Sequence, residues 1–222
     1  MEVTIREEAG YDLALYGFSL SYKDRAITPE DWWDLPNCDR CLDTGYGCLH
    51  CGYLKGGEAA YRIKERMDRT KTTATANAGR GKGHDKFLRQ IMVWVDIEAP
   101  RYWWSEFDTY KVGTVAQSES TMHTLSKRDM SYGDIHMCDE YDTENVDMFN
   151  SFREARPEAT IADIKRKLPE SYLQRRLVTM NYAVLRCIIE QRKNHKLFEW
   201  QQFINAIYTQ AAHKELLPKQ ED

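Results

Sequence analysis

The most regular apolar pattern of the chain lies at residues 90–98, where almost every side chain is hydrophobic. Alternate positions predict the inward face of a β-strand, and Met92 and Trp94 make its other face apolar as well. Pro100 follows, and because proline is tolerated in the first turn of a helix, an aromatic-rich helix is expected from there. The inward face of the predicted strand is formed by Ile91, Val93, Val95 and Ile97.

Apolar residues recur at helical spacing in further segments, so most of the remaining chain is predicted to be helical. A short strand is expected at residues 3–5. Because the helices surround few strands and do not alternate with them regularly, the predicted fold class is α+β, in one domain over residues 1–222. The predicted helices are 11–22, 56–67, 145–155, 159–167, and a long helix or helix pair over 170–212.

Two segments lack periodicity and are predicted to be loops, at residues 70–86 and 111–121. The first contains several glycines and is expected to be flexible. Its basic residues either gather a phosphate group or belong to a solvated linker, and the sequence leaves both interpretations open. These basic residues are Lys71, Arg80, Lys82 and Lys86.

The overall charge restricts the possible partners. A net charge of -4 over 222 residues argues against nucleic-acid binding by the whole chain, although not against a local basic patch. No apolar run approaches the roughly 18 residues needed to span a bilayer, and the N-terminus has no basic region ahead of an apolar stretch. We therefore expect a cytoplasmic protein without membrane contact.

Four of the six cysteines form a C-x2-C-x6-C-x2-C pattern. Paired knuckles of this spacing are typical of a tetrahedral zinc site, in which each knuckle supplies two thiolates. The alternatives are two disulfides or four unrelated thiols. We predict one structural zinc ion within an insert at residues 36–55, and hence a reducing compartment. The predicted ligands are Cys38, Cys41, Cys48 and Cys51.

Asn181 and Arg192 lie eleven residues apart in the predicted C-terminal helix. On one helix this spacing places both side chains on nearly the same face, about 16 Å apart along the axis. An amide and a guanidinium on an apolar stripe are costly to bury without partners. Either they bind a ligand, or Asn181 makes a helix-packing hydrogen bond and Arg192 a salt bridge.

Residues 167–200 resemble the C-terminal signature of the flavin-dependent thymidylate synthases. That family has a basic residue shortly before Leu-Pro, an asparagine on the following helix, and an arginine about three turns later. Here Leu168-Pro169 is followed by Asn181 and Arg192, and Lys165 is the basic residue. The resemblance is clear over residues 84–210 and weak over residues 1–27, and the cysteine insert is not part of the usual family pattern.

The signature loop of that family, R-H-R-x-x-S-x-N-E-x-S-x-R-Y, is altered in this chain. The matching stretch begins with T-Y-K at residues 109–111, keeps a hydroxyl at Thr114, needs one inserted residue, and retains Ser120. In the family, the arginines and the histidine of this loop hold the flavin and the substrate phosphate through charge-assisted hydrogen bonds. Because a threonine replaces the first arginine and Met122 the last, two of these charges are missing.

In the resembling enzymes, reduced flavin passes a hydride, methylenetetrahydrofolate supplies the carbon that reaches C5 of dUMP, and the site is assembled from several subunits of a homotetramer. The resemblance therefore implies FAD, a deoxyuridylate-like nucleotide, methylenetetrahydrofolate and NADPH as ligands. It implies Ser120 and Arg192 as catalytic residues. The implied substrate-binding residues are Lys165, Gln117, Glu119, Ser120 and Arg192. The implied flavin-binding residues are Arg89, Tyr110, Lys111, Thr114 and Asn181.

A second hypothesis keeps the same scaffold without catalysis. In this alternative the chain binds a nucleotide or a nucleic acid, and the cysteine insert together with residues 70–86 holds a partner. Ser118 or Ser120 would then merely cap a helix, because a serine at that position satisfies backbone donors without any ligand. A yellow flavin bound to the purified protein would distinguish the first hypothesis from the second.

Overall fold

The computed structural model describes residues 1–22, 57–125, 128–136 and 141–220. The predicted zinc ligands and the whole 36–55 insert lie outside these residues. The strands are β1 (Glu2–Ala9), β2 (Met92–Pro100), β3 (Thr114–Ser118) and β4 (Leu173–Asn181). The helices are α1 (Tyr11–Ser19), α2 (Gly57–Asn77), α3 (Arg101–Phe107), α4 (Thr121–Thr124), α5 (Asp142–Ala155), α6 (Ile161–Arg166), α7 (Tyr182–Arg192) and α8 (Phe198–Gln210).

The described strands form one antiparallel sheet in the order β1-β2-β4-β3. The two central strands pair along their full length, from Met92 opposite Asn181 to Pro100 opposite Leu173. Strand β3 is an edge strand and begins with Thr114 opposite Met180. Helices cover one face of this sheet, so the α+β class predicted from the sequence is confirmed.

The main core lies between the inner face of the sheet and helices α1, α3, α7 and α8. The alternating residues of β2 point into it as predicted, and each of them is fully buried. From β4, Val178 and Met180 enter the same layer with no exposed surface. A smaller cluster packs around Phe149 of α5 and Tyr172, next to α6.

The aromatic helix after Pro100 is a core element. Trp103 and Trp104 are almost completely buried, and Trp103 packs against Trp200 and Phe203 of α8. The Nε1 group of Trp104 donates a 2.8 Å hydrogen bond to the carbonyl of Gln174. These rings are therefore used within the chain, and they offer no apolar surface to a second subunit.

Three segments differ from the sequence-based prediction. Residues 173–181 form the central strand β4 and not the start of a long helix, because β2 needs a partner on its second edge and pairs with them throughout. Residues 70–77, predicted to be a loop, continue α2, since Ala74 is fully buried. Residues 114–118 form an edge strand, and their small and polar side chains reflect its exposure.

Within the described part of the chain, no helix is long and apolar enough to cross a membrane.

Candidate functional site

The residues predicted to bind flavin gather at one end of the sheet, which we call the Asn181 end. Antiparallel pairing brings the first residues of β2 and β3 to this end, together with the last residue of β4. Arg89 lies three residues ahead of β2 and Lys111 three residues ahead of β3, and both are exposed. Because β2 and β3 flank β4, the two strands that follow these cations lie about 10 Å apart.

Asn181 is not on a helix face, as the sequence analysis had placed it, but at the N-cap of α7. Its Oδ1 accepts a 3.0 Å hydrogen bond from the backbone N–H of Val184, which satisfies one of the free donors of the first turn. Its amide nitrogen makes no hydrogen bond within the described residues, so two donors remain available at the Asn181 end.

Thr114 and the preceding glycine fix the start of β3 against α7. The Thr114 hydroxyl donates to the carbonyl of Tyr110 at 2.8 Å. Gly113 has a φ of +91°, and a Cβ atom there would lie 2.6 Å from Cγ2 of Val184. The turn can approach the helix only because position 113 lacks a side chain.

Arg192, the last residue of α7, is held in a polar and aromatic cluster. Its Nη1 donates to Oε2 of Glu106 at 3.0 Å, and its Nε donates to the hydroxyl of Tyr110 at 2.9 Å. The guanidinium lies over the Trp200 ring, 4.7 Å from its centroid. This is the salt bridge that the sequence left as an alternative to ligand binding.

Glu106 is the centre of this cluster and was missed by sequence reasoning. Besides Arg192, its Oε2 accepts from Nε1 of Trp200 at 2.9 Å and lies 3.3 Å from Nε2 of His195. These partners follow Glu106 by more than 80 residues, so only the tertiary fold brings them together. The one local signal was that Tyr110 follows Glu106 by four residues, close to one helical turn.

Two of the residues predicted to bind substrate, Gln117 and Glu119, line a cleft of about 560 Å³ on the outer face of the sheet. At its floor the carboxylate of Asp96 accepts hydrogen bonds from Arg175, at 2.6 and 2.8 Å, and from Arg6, at 2.7 Å. These bonds lower the pKa of Asp96 to about 2. The two arginines are thereby neutralised in part by Asp96 and by the acidic lining of the cleft.

Ser120 and Lys165 belong to two helices that pack against each other, α4 and α6. Ser120 occupies the N-cap position of α4, but its side chain makes no capping bond there. Helix α4 packs against α6, which carries Lys165. The Lys165 side chain is exposed and has no ion pair within the described residues. Ser120 and Lys165 therefore keep their polar groups available to a ligand.

The two predicted sets occupy opposite ends of β3. Thr114 begins the strand and Ser118 ends it, a span of about 14 Å at the usual rise per residue. One chain thus brings the flavin set together and places the substrate set of Gln117, Glu119 and Ser120 at a distance from it. Arg192 belongs to neither end of β3 but contacts the flavin set through Tyr110.

No group of three or more histidine, cysteine or acidic side chains is placed to hold a metal ion in the described ranges, which do not include the four cysteines of the zinc pattern.

The antiparallel sheet with helices on one face matches the fold of solved flavin-dependent thymidylate synthases. The chain matches two crystal structures of thymidylate synthase ThyX from Helicobacter pylori, each with FAD and dUMP. One has a TM-score of 0.67 at 16% identity and the other 0.69 at 15% identity. The matches cover 98% of this chain and 97% and 98% of the ThyX chains. No protein-family model and no curated protein matches the sequence.

Proposed function

We propose that this protein is a flavin-dependent enzyme that transfers a one-carbon group to C5 of a deoxyuridylate-like pyrimidine nucleotide. The observation that carries the proposal is the full-length match of the fold to structures that contain FAD and dUMP. The convergence of Arg89, Lys111, Thr114 and Asn181 at one end of the sheet supports it, because the resemblance implied these residues before their positions were known.

The donor set at the Asn181 end fits a flavin dinucleotide. Arg89 and Lys111 are exposed cations that suit a pyrophosphate. The free amide nitrogen of Asn181 suits the carbonyl edge of an isoalloxazine ring, and the hydroxyl of Thr114 can still accept a hydrogen bond. When bound, the reduced flavin supplies the hydride, and the protein supplies positioning and electrostatics.

For the nucleotide, we assign the phosphate to Lys165 and to the polar group of Ser120. Lysine acts as a point charge toward phosphate, and an exposed unpaired lysine keeps that capacity. Gln117 and Glu119 are assigned to the base and sugar side, and Arg192 to a further contact with the nucleotide. Methylenetetrahydrofolate and NADPH are the proposed carbon donor and reductant of the flavin.

We further propose that the working form is a homotetramer. The two polar sets of one chain are separated along β3, so a ligand pair that uses both sets requires a second copy. The support is this geometry and not the aromatic helix α3, whose tryptophans are buried within the chain. The four-cysteine insert is proposed to hold a structural zinc ion, and the compartment is proposed to be the cytoplasm.

Flavin content and C5 chemistry test the proposal directly. The purified protein should show flavin absorbance, and with reductant and methylenetetrahydrofolate it should release tritium from dUMP labelled at C5. Lys165→Ala should weaken dUMP binding, whereas Lys219→Ala removes an exposed lysine of the C-terminal segment and should not. Binding of dUMP with no flavin and no tritium release would support the non-catalytic alternative, and binding of neither ligand would refute the proposal.

A further inference from the structure

The first residue of α7, Tyr182, is held at both of its ends. Its ring has no exposed surface, and its backbone N–H donates a 2.9 Å hydrogen bond to the carbonyl of Ile91, just ahead of β2. Its hydroxyl donates a 2.8 Å hydrogen bond to Oε1 of Glu8 on β1. Because the ring between these two bonds is rigid and buried, Tyr182 has one orientation relative to the sheet.

Glu8 connects Tyr182 to the end of the chain. It is half-buried near the end of β1, where it pairs with Val93. Its Oε2 accepts a 2.9 Å hydrogen bond from the backbone N–H of Ala212. One carboxylate oxygen therefore binds α7, and the other binds residues 211–218, which we call the C-terminal tail. Burial and this carboxylate raise the pKa of the Tyr182 hydroxyl, so the hydroxyl stays a hydrogen-bond donor at neutral pH.

The C-terminal tail is attached to α1 and α8 as well. The Tyr11 ring stacks on the His213 ring, with 3.5 Å between the two centroids. The Tyr208 hydroxyl donates a 2.6 Å hydrogen bond to the carbonyl of Pro218. The tail is thus a fixed part of the fold, and Glu8 joins it to β1 and to the first turn of α7.

The orientation of Asn181 depends on this first turn. Asn181 immediately precedes Tyr182 and has the extended backbone of an N-cap, with φ −101° and ψ 166°. Its Oδ1 accepts the hydrogen bond from the backbone N–H of Val184, so the side chain is tied to the turn that Tyr182 holds against the sheet. Because the amide group is planar, fixing Oδ1 also fixes the direction of the free amide nitrogen.

We propose that Glu8 and Tyr182 are positioning residues, which fix the first turn of α7 so that the free amide nitrogen of Asn181 faces the flavin. This inference rests on the proposed function. A donor that is already oriented loses little conformational freedom on binding, so a fixed Asn181 binds the flavin more tightly than a mobile one. Tyr182 is fully buried and acts through Asn181, without touching the ligand itself.

Tyr182→Phe tests the inference, because it removes the hydroxyl and keeps the ring in the core. In the ligand-free protein, hydrogen exchange of the Val184 amide should become faster, since its bond to Asn181 is held less firmly. Titration with FAD, followed by flavin fluorescence, should show an affinity about threefold lower or more. Glu8→Ala should have the same two effects, and combining both substitutions should add little, because both remove the same hydrogen bond.

Tyr208 provides a matched control. Its hydroxyl also binds the C-terminal tail, but Tyr208 lies on α8 and is not next to Asn181. Tyr208→Phe should lower the melting temperature and leave both the Val184 exchange rate and the FAD affinity unchanged. Glu8→Gln keeps one acceptor oxygen for the Tyr182 hydroxyl and should recover most of the FAD affinity that Glu8→Ala loses.

Each measurement can contradict the inference. An unchanged exchange rate of Val184 in Tyr182→Phe would overturn it independently of any flavin, because that amide is measured in the ligand-free protein. Faster exchange with unchanged FAD affinity would overturn it too, and so would an equal effect of Tyr208→Phe, since any loosening of the C-terminal tail would then suffice. A wild type that binds no FAD would overturn the proposed function, and with it the positioning role of Glu8 and Tyr182.

Discussion

The carboxylate of Asp96 links three strands on the outer face of the sheet, and its removal should destabilise the protein in a pH-dependent way. Asp96 lies on β2 and accepts hydrogen bonds from Arg6 of β1 and Arg175 of β4. These bonds lower its pKa from 3.8 to about 2, and the bonds from Arg175 are the largest cause. Asp96→Asn keeps the shape of the side chain and removes the charge.

The stability lost in Asp96→Asn is estimated from the difference between the pKa of Asp96 in the folded and in the unfolded protein. A difference of about 1.8, at 1.36 kcal/mol for each pH unit, gives an upper limit of about 2.4 kcal/mol. The side chains of Arg6 and Arg175 are 51% and 55% exposed, and solvent and salt screen such pairs. We therefore expect a loss of about 1 kcal/mol at pH 7, or roughly 2–4 °C in melting temperature.

The sign of the pH dependence is fixed by the direction of the pKa change. Because the folded pKa is lower than the unfolded one, the stabilisation is complete above about pH 4 and is lost as the pH falls toward 2. Thermal melts of wild type and Asp96→Asn should therefore differ at pH 7 and converge in acid. Added salt should reduce the difference at pH 7. Asp12→Asn, on the exposed side of α1, removes the same charge as a control.

A difference between wild type and Asp96→Asn that stays constant from pH 7 to pH 3 would refute this account. It would mean that the asparagine disturbs packing and that the ion pairs contribute nothing measurable.

Three other measurements test separate parts of the protein. Metal analysis should find about one zinc per chain, and Cys41→Ser should abolish it; metal-free protein with disulfide-bonded cysteines would contradict the zinc site. Gly113→Ala should cost about 2 kcal/mol or more in denaturant unfolding, because the new Cβ meets Val184 at a left-handed backbone position. Gly81→Ala, at φ +68° with open space around it, should cost only about 1 kcal/mol. Light scattering should report a mass above the 26.1 kDa of one chain, and a monomer at micromolar concentration would exclude a site shared between copies.

Strand β2 was predictable because its sequence fits a buried strand and does not fit a helix. A run in which both faces are apolar fits a strand buried in the middle of a sheet, and its length is too short for a helix of comparable burial. The structure places its alternating residues in the core without exception. The helix that follows Pro100 and helix α5 were also predicted, and each of them buries apolar side chains on one face. Helix α6 was predicted as well, although none of its residues is fully buried.

Strand β4 was missed because its apolar residues satisfy two periods at once. Leu173, Leu177 and Met180 have helical spacing, yet in the strand Leu177 points outward and is 41% exposed while Met180 points inward. The adjacent arginines at 175 and 176 gave no sign of a central strand. Arg176 can occupy the inner face only because Asp108 and the Trp104 ring receive it. Such compensation depends on tertiary contacts and leaves no trace in local sequence.

The candidate site was predictable as a set of residues but not as a geometry. The resemblance implied both polar sets, and the sheet register shows which members lie together. The register depends on β4, which was predicted to be helical. The predicted position of Asn181 on a helix face was therefore wrong. Its assignment to the flavin-binding residues stays a prediction. Glu106 was absent from the set because no motif includes it.

The altered signature loop explains why the arginine cluster takes its present form. Where the family has R-H-R, this chain has three residues with three separate roles. Thr109 donates its hydroxyl to the carbonyl of Glu106 and ends the helix locally. Tyr110 binds Arg192 and Gln191 within the chain. Only Lys111 stays exposed and charged. Of the three positions, only Lys111 therefore keeps an exposed cation, and Arg89 is a second exposed cation at the Asn181 end.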